Sequence, residues 1–315
     1  NDISAVLFSL IASIASIILI FYFGKLLFNE KIGLMSAFLL SFFPLEVVYS
    51  TQLLSDLPSM LFMSLGVYIF LYAELKNGLK YGLSYLLSGI LIGIGYMIRE
   101  SALLIALFFI AYIIYKKKIK KEYFLVPLGI LIIFIIEALI FLSLTGNSLF
   151  RFNASQNYLK EASLAHNYFG RLDFPLGLFH YPWLFLTNTL LSLFYIPIFI
   201  STVYISFYKR KESAIILLWF VPLLLYLSFG SSSLTEYIPF RAVDRYTSII
   251  TIPAILVMAV FLSESNKKIN RALVTAALII LLILSIGVVY IRDDRNLLGN
   301  LKYSYAFINN LEKPV

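Results

Sequence analysis

The chain has 315 residues, 61% of them hydrophobic and only 13% charged, with a mean hydropathy of +0.90. A soluble globular domain carries roughly 25% charged residues, so that class is excluded. The formal net charge of +8 divides between two sets of loops, which marks topology and attraction to anionic lipid rather than affinity for nucleic acid.

Each bilayer crossing needs about 20 mostly apolar residues. The predicted spans, in chain order, are 4–24, 32–49, 57–74, 83–98, 101–115, 123–144, 183–207, 214–229, 247–263 and 272–291. They predict an all-α, polytopic transmembrane bundle of about ten spans. Several runs are shorter than a standard crossing, so tilted or re-entrant segments are expected among them. The first run follows directly on Asn1-Asp2, with no initiator Met and no basic leader. The chain is therefore read as a fragment whose preceding helix is missing. There is no cysteine, hence no thiolate chemistry.

The short loops between spans alternate in charge. One set, at 25–31, 76–80, 116–122, 208–212 and 264–271, holds 13 lysines and two arginines, Arg210 and Arg271. This is the cytoplasmic signature of a multi-pass cell-membrane protein. The other set holds three lysines and seven arginines: Arg99, Arg151, Arg171, Arg241, Arg245, Arg292 and Arg295. Guanidinium is a planar fork that fits phosphate oxygens, so arginines gathered on the outer side point to a phosphate held there. The outer segment 145–182 is long and aromatic. The tail 292–315 reads as the start of a further outer segment, after a transmembrane domain over 1–291.

Within this pattern a few residues stand out. Asp56 sits at the outer end of a span with Pro58 behind it, which suits both a helix start and a carboxylate that orients a metal or a hydroxyl. Arg99-Glu100 interrupts two apolar runs. It is either an interfacial turn or a pair in which Arg99 holds a lipid-linked phosphate and Glu100 positions it. Arg241 and Arg245 lie four apart, so on a helical turn they would share a face as a phosphate clamp, with Asp244 and Tyr246 beside them. Glu137 falls inside a span, either as a functional carboxylate or as a neutral group bonded to a neighbouring helix. Both histidines, His166 and His180, fall in 145–182, and one could join Asp56 around a divalent ion, although no metal motif is present. Asn153-Ala-Ser155 is a glycosylation triplet.

Several stretches taken together resemble a known family. They are Gly33-Leu-Met-Ser-Ala-Phe38, Phe43-Pro44, Tyr49-Ser50, Asp56-Leu-Pro58, the glycine-rich run from Gly89 through Gly93 and Gly95 to Arg99-Glu100-Ser101, and Arg245-Tyr246 with Pro253. In order and topology these resemble GT-C membrane glycosyltransferases. The similar branch contains dolichyl-phosphate-mannose protein mannosyltransferases and the aminoarabinose lipid A transferase. The resemblance covers about residues 4–260. It implies a sugar moved from a polyprenyl-phosphate donor to a protein, lipid or glycan acceptor at the outer membrane face. It implies supporting roles for Asp56 at a metal or substrate site, and for Arg99 and Arg245 near the donor phosphate. The family's main catalytic carboxylate lies ahead of the helix at which this chain begins. No cofactor is certain, and a divalent metal stays open.

The leading expectation is therefore a GT-C glycosyltransferase whose partners are the lipid-linked donor, membrane lipid and an acceptor, with no nucleic acid. A transporter or flippase for an anionic lipid is the alternative. Such proteins place polar groups near the bilayer midplane, and here only Glu137 does so. A glycan polymerase or ligase using 145–182 is a third reading.

Overall fold

A computed structural model describes residues 2–76, 81–155, 175–207, 211–231, 237, 240, 242–265 and 271–293. It is an all-α bundle, as expected. Helix α1 spans Asp2–Leu27, α2 Glu30–Ser41, α3 Pro44–Ser50, α4 Asp56–Lys76 and α5 Tyr81–Ile98. A 3-10 turn, Glu100–Ile105, leads into α6, Ala106–Lys116. Helix α7 is Leu125–Thr145, α8 His180–Thr187, α9 Thr189–Ser206, α10 Lys211–Phe229, α11 Ser248–Ser265 and α12 Arg271–Asp293. Among the described residues, six helices are long and apolar enough to cross a membrane, and a bent pair could make a seventh. The chain is thus a multi-pass membrane protein.

All ten predicted segments are helical, but three are broken. The run 32–49 bends by 60° between α2 and α3. Pro44 is the cause. It occupies the first helical position of α3 and forces Phe43 into extended geometry (φ −69°, ψ 116°). The run 101–115 begins as a 3-10 turn, which leaves α6 only 11 residues long. The run 183–207 is cut at Asn188. Its side chain caps α9 by accepting from the Leu190 amide at 2.9 Å. Helix α7 stops where Gly146 takes a left-handed backbone (φ 71°), a conformation glycine adopts without penalty.

Small residues set the tightest crossings, as they do where helices pack in lipid. Helix α5 runs between α4 and α7. A Cβ on Gly89 would lie 2.0 Å from the Val126 carbonyl oxygen, and one on Gly129 2.4 Å from that of Leu86. Nearer the end of α5, Gly95 lets α4 approach, and the Ser59 hydroxyl donates to the Gly95 carbonyl at 3.0 Å. The core is aromatic. Trp219 of α10 is fully buried between Phe23 of α1 and Phe108 of α6. Much of α7 is apolar and exposed, including Leu131, Ile135 and Leu139, as a helix facing lipid should be.

Candidate active site at the arginine end

The bundle has two chemically distinct ends. At one, α1, α4, α6 and the start of α10 present lysines. At the other, the starts of α4 and α11 meet the end of α5, and arginines collect. The approach of α4 to α5 at Gly95 brings Asp56 and Arg99 together. Asp56 is the first residue of α4 and is 1% exposed. Its Oδ1 forms an ion pair with Nη1 of Arg99. Arg99 follows directly on Ile98, the last residue of α5. Its extended backbone (φ −155°, ψ 130°) turns the side chain out of the helix and towards α4.

Tyr246 supplies the platform beneath the cations. The Arg99 guanidinium carbon sits 4.9 Å from its ring centroid, and that of Arg245 sits 5.4 Å away. Two guanidinium groups over one ring would repel each other in isolation. The nearby Asp56 carboxylate and the ring's negative face offset that repulsion. The Oδ2 of Asp56 and the Nε of Arg245 make no hydrogen bond among the described residues. The cluster therefore keeps both accepting and donating capacity.

Asp244 holds the turn that carries Arg245. Tyr49 of α3 donates to its Oδ1 at 2.6 Å, and the Asn188 side-chain amide donates to its Oδ2 at 3.2 Å. The Arg245 amide donates to Oδ1 at 2.9 Å, and the Thr247 hydroxyl to the Asp244 carbonyl at 2.7 Å. Tyr181 of α8 is buried and hydrogen-bonds the Val243 backbone. One carboxylate thus ties α3, α9 and the start of α11 into a single wall.

Of the residues singled out in the sequence, the structure brings Asp56, Arg99, Arg245 and Tyr246 into one cluster. Arg241 lies outside the described residues, as do His166 and Arg171. The helical turn expected to align Arg241 with Arg245 is not formed across Val243, which is extended (φ −126°, ψ 132°). Glu100 turns away from Arg99. It faces Arg151, with its Oε1 3.4 Å from Nε, and accepts from the Ser155 hydroxyl at 3.1 Å. Glu137 is ion-paired with Arg151 at 2.6 Å. Glu46 is buried on α3, where Ser13 of α1 is its hydrogen-bond partner.

Burial holds the His180 imidazole below its ordinary pKa, and its Nδ1 makes no hydrogen bond among the described residues. Among the described residues, no group of three His, Asp or Glu side chains gathers that could hold a metal ion. Asp56 already has a cation beside it in Arg99. The sequence does not single out Asn188, and it offers Tyr181 only as one of the aromatics of the outer segment. A lone Asn followed by Thr-Leu-Leu inside an apolar run was the available signal for the first. The hydrogen bond of Tyr181 to Val243 has no sequence signal.

Residues 1–141 match the family model of the dolichyl-phosphate-mannose-protein mannosyltransferases. No curated protein sequence matches the chain. Among solved structures, ArnT from Cupriavidus metallidurans in the apo state aligns with a TM-score of 0.54 at 12% identity, over 82% of this chain and 45% of that one. The apo oligosaccharyltransferase of Archaeoglobus fulgidus aligns with a TM-score of 0.55 at 15% identity, over 91% and 45%. The same enzyme tethered to an acceptor peptide containing an NVT sequon gives 0.54 at 16% identity, over 91% and 44%. The chain spans less than half the length of these proteins. Over residues 1–141 this chain is thus similar to the dolichyl-phosphate-mannose-protein mannosyltransferases, and its helical fold is similar to that of these two membrane proteins.

Proposed function

We propose that the arginine end binds the phosphate of a polyprenyl-phosphate-linked sugar and that the protein transfers that sugar to an acceptor at the outer membrane face. The observation that carries this reading is the cluster itself. Two guanidinium groups share the Tyr246 ring beside a buried carboxylate, at the arginine end of the bundle. In transfer, the acceptor oxygen or nitrogen attacks the anomeric carbon. The bond from that carbon to the phosphate oxygen breaks, and the phosphate keeps the electron pair. Arg99 and Arg245 stabilise the charge that grows on the leaving phosphate. The proton lost by the acceptor goes to a carboxylate. Asp56, already held by Arg99, serves as an orienting group more readily than as the base.

The relatives support this reading through what they are named for. The matched family is a dolichyl-phosphate-mannose-protein mannosyltransferase, and one structural neighbour holds an acceptor peptide. The acceptor is proposed as protein, lipid or glycan, with peptide favoured by those names. The test is transfer from a lipid-phosphate sugar donor by the intact protein in membranes. Arg245→Ala and Asp56→Asn should each abolish transfer while folded protein is recovered in normal amount. The loss of one donor at such a site raises the barrier by roughly 2–4 kcal/mol. Full activity in either variant removes that residue from the site.

A further inference from the structure

We propose that Arg151 is a positioning residue that latches the segment following α7 onto the end of α5 and so sets the direction of Arg99. One guanidinium makes four polar contacts. Its Nη1 donates to the Met97 carbonyl at 2.8 Å and to Glu137 Oε1 at 2.6 Å. Its Nη2 donates to the Tyr96 carbonyl at 3.0 Å, and its Nε lies 3.4 Å from Glu100 Oε1. The same group stacks over the Tyr96 ring at 4.9 Å.

The physical reason for this arrangement lies in the end of α5. The last carbonyls of a helix have no partner within it and carry the negative end of its dipole. Gly95 is served locally, by the Arg99 amide at 2.9 Å and the Ser59 hydroxyl. Tyr96 and Met97 are served by Arg151. Helix α5 can therefore stop at Ile98 without leaving buried carbonyls bare, and Arg99 is free to extend towards Asp56. Glu137, 8% exposed on its side chain within α7, gains a counter-charge that an intramembrane carboxylate requires. Ser155, one helical turn beyond Arg151, holds the other oxygen of Glu100. The clip thus grips both sides of the α5 break. A lysine carries the same charge but is a point donor that cannot span these acceptors.

The activity arm of the test rests on the function proposed above, and the structural arm does not. The chain has no cysteine, so a spin-label pair at Leu103→Cys and Phe152→Cys reports the latch alone. Both positions are exposed. A control pair at Leu34→Cys and Tyr72→Cys, also exposed, reports the bundle elsewhere. The unaltered protein should give a narrow 103–152 distance distribution. Arg151→Gln should broaden it while the control pair stays narrow. The KM for the lipid donor should rise about tenfold, as for one lost charge-assisted hydrogen bond, and kcat should move less. A residue that only held the fold together would lower active protein and hence kcat, leaving KM in place. A narrow 103–152 distribution in Arg151→Gln overturns the proposal. Where that variant disturbs the control pair as well, Arg151→Lys carries the test. It should broaden the 103–152 pair alone, and an unchanged distribution there counts against the latch. Absence of transfer by the unaltered protein would reject the proposed function and leave the distance result to decide the latch.

Discussion

Helix α4 carries a buried carboxylate at each end, and the two are in different states. Glu74, at the lysine end, is saturated. Its oxygens accept from Lys120 at 2.7 Å, from Tyr112 at 3.2 Å and from the Tyr85 hydroxyl. Asp56, at the arginine end, has one oxygen on Arg99 and a second with no hydrogen bond among the described residues. Buried polar groups are normally satisfied, so a carboxylate oxygen without a hydrogen bond at one end and none at the other marks the arginine end as the candidate ligand site. The cations differ in the same sense. Arg99 and Arg245 share one aromatic ring beside Asp56, whereas Lys120, over the Tyr123 ring, fastens the loop after α6 to Glu74.

That comparison can be broken in several ways. The largest effect is expected at the arginine end, where Arg245→Ala or Asp56→Asn should remove transfer while thermal stability changes little. Glu74→Ala should do the reverse. It strips three donors of their acceptor, so stability should fall by roughly 1–3 kcal/mol. The specific activity of the protein that remains folded should hold, as read by melting in detergent alongside a transfer assay. A loss of activity per folded molecule in Glu74→Ala would show that the two ends are coupled. Midway along the bundle, Gly89→Ala pushes a methyl into the Val126 carbonyl. Overpacking of this kind costs about 1–3 kcal/mol and should lower the melting temperature. The smallest effect is expected at Lys25. Its pairing with Glu30 is long, at 3.7 Å, with side chains 51% and 65% exposed. Lys25→Ala should cost under about 0.5 kcal/mol, and less in high salt.

Much of the fold was legible because hydropathy runs and loop charge are local signals. Every predicted span is helical. The breaks were harder to read. Pro44 and Asn188 each carry a stop or cap signal, but both sit inside long apolar stretches whose hydropathy fits a continuous helix as well. The site was half legible. Asp56, Arg99, Arg245 and Tyr246 were found because charge beside an apolar span is conspicuous. The contacts of Glu100 with Arg151 and Ser155 were not legible. Adjacent residues at a helix break point in different directions, and the direction depends on backbone torsions that composition does not report.

Composition and charge order alone determine that this chain is a membrane-embedded helical bundle with lysines at one end and arginines at the other. Those properties follow from solvent preference, which each residue expresses by itself. Tertiary structure decided which charges meet. Arg99 pairs with Asp56 because Gly95 lets two helices approach closely. Arg151 rather than Arg99 serves Glu100 and Glu137 because it fills the open end of α5. Such pairings depend on distances between segments far apart in the chain, and only packing sets those distances.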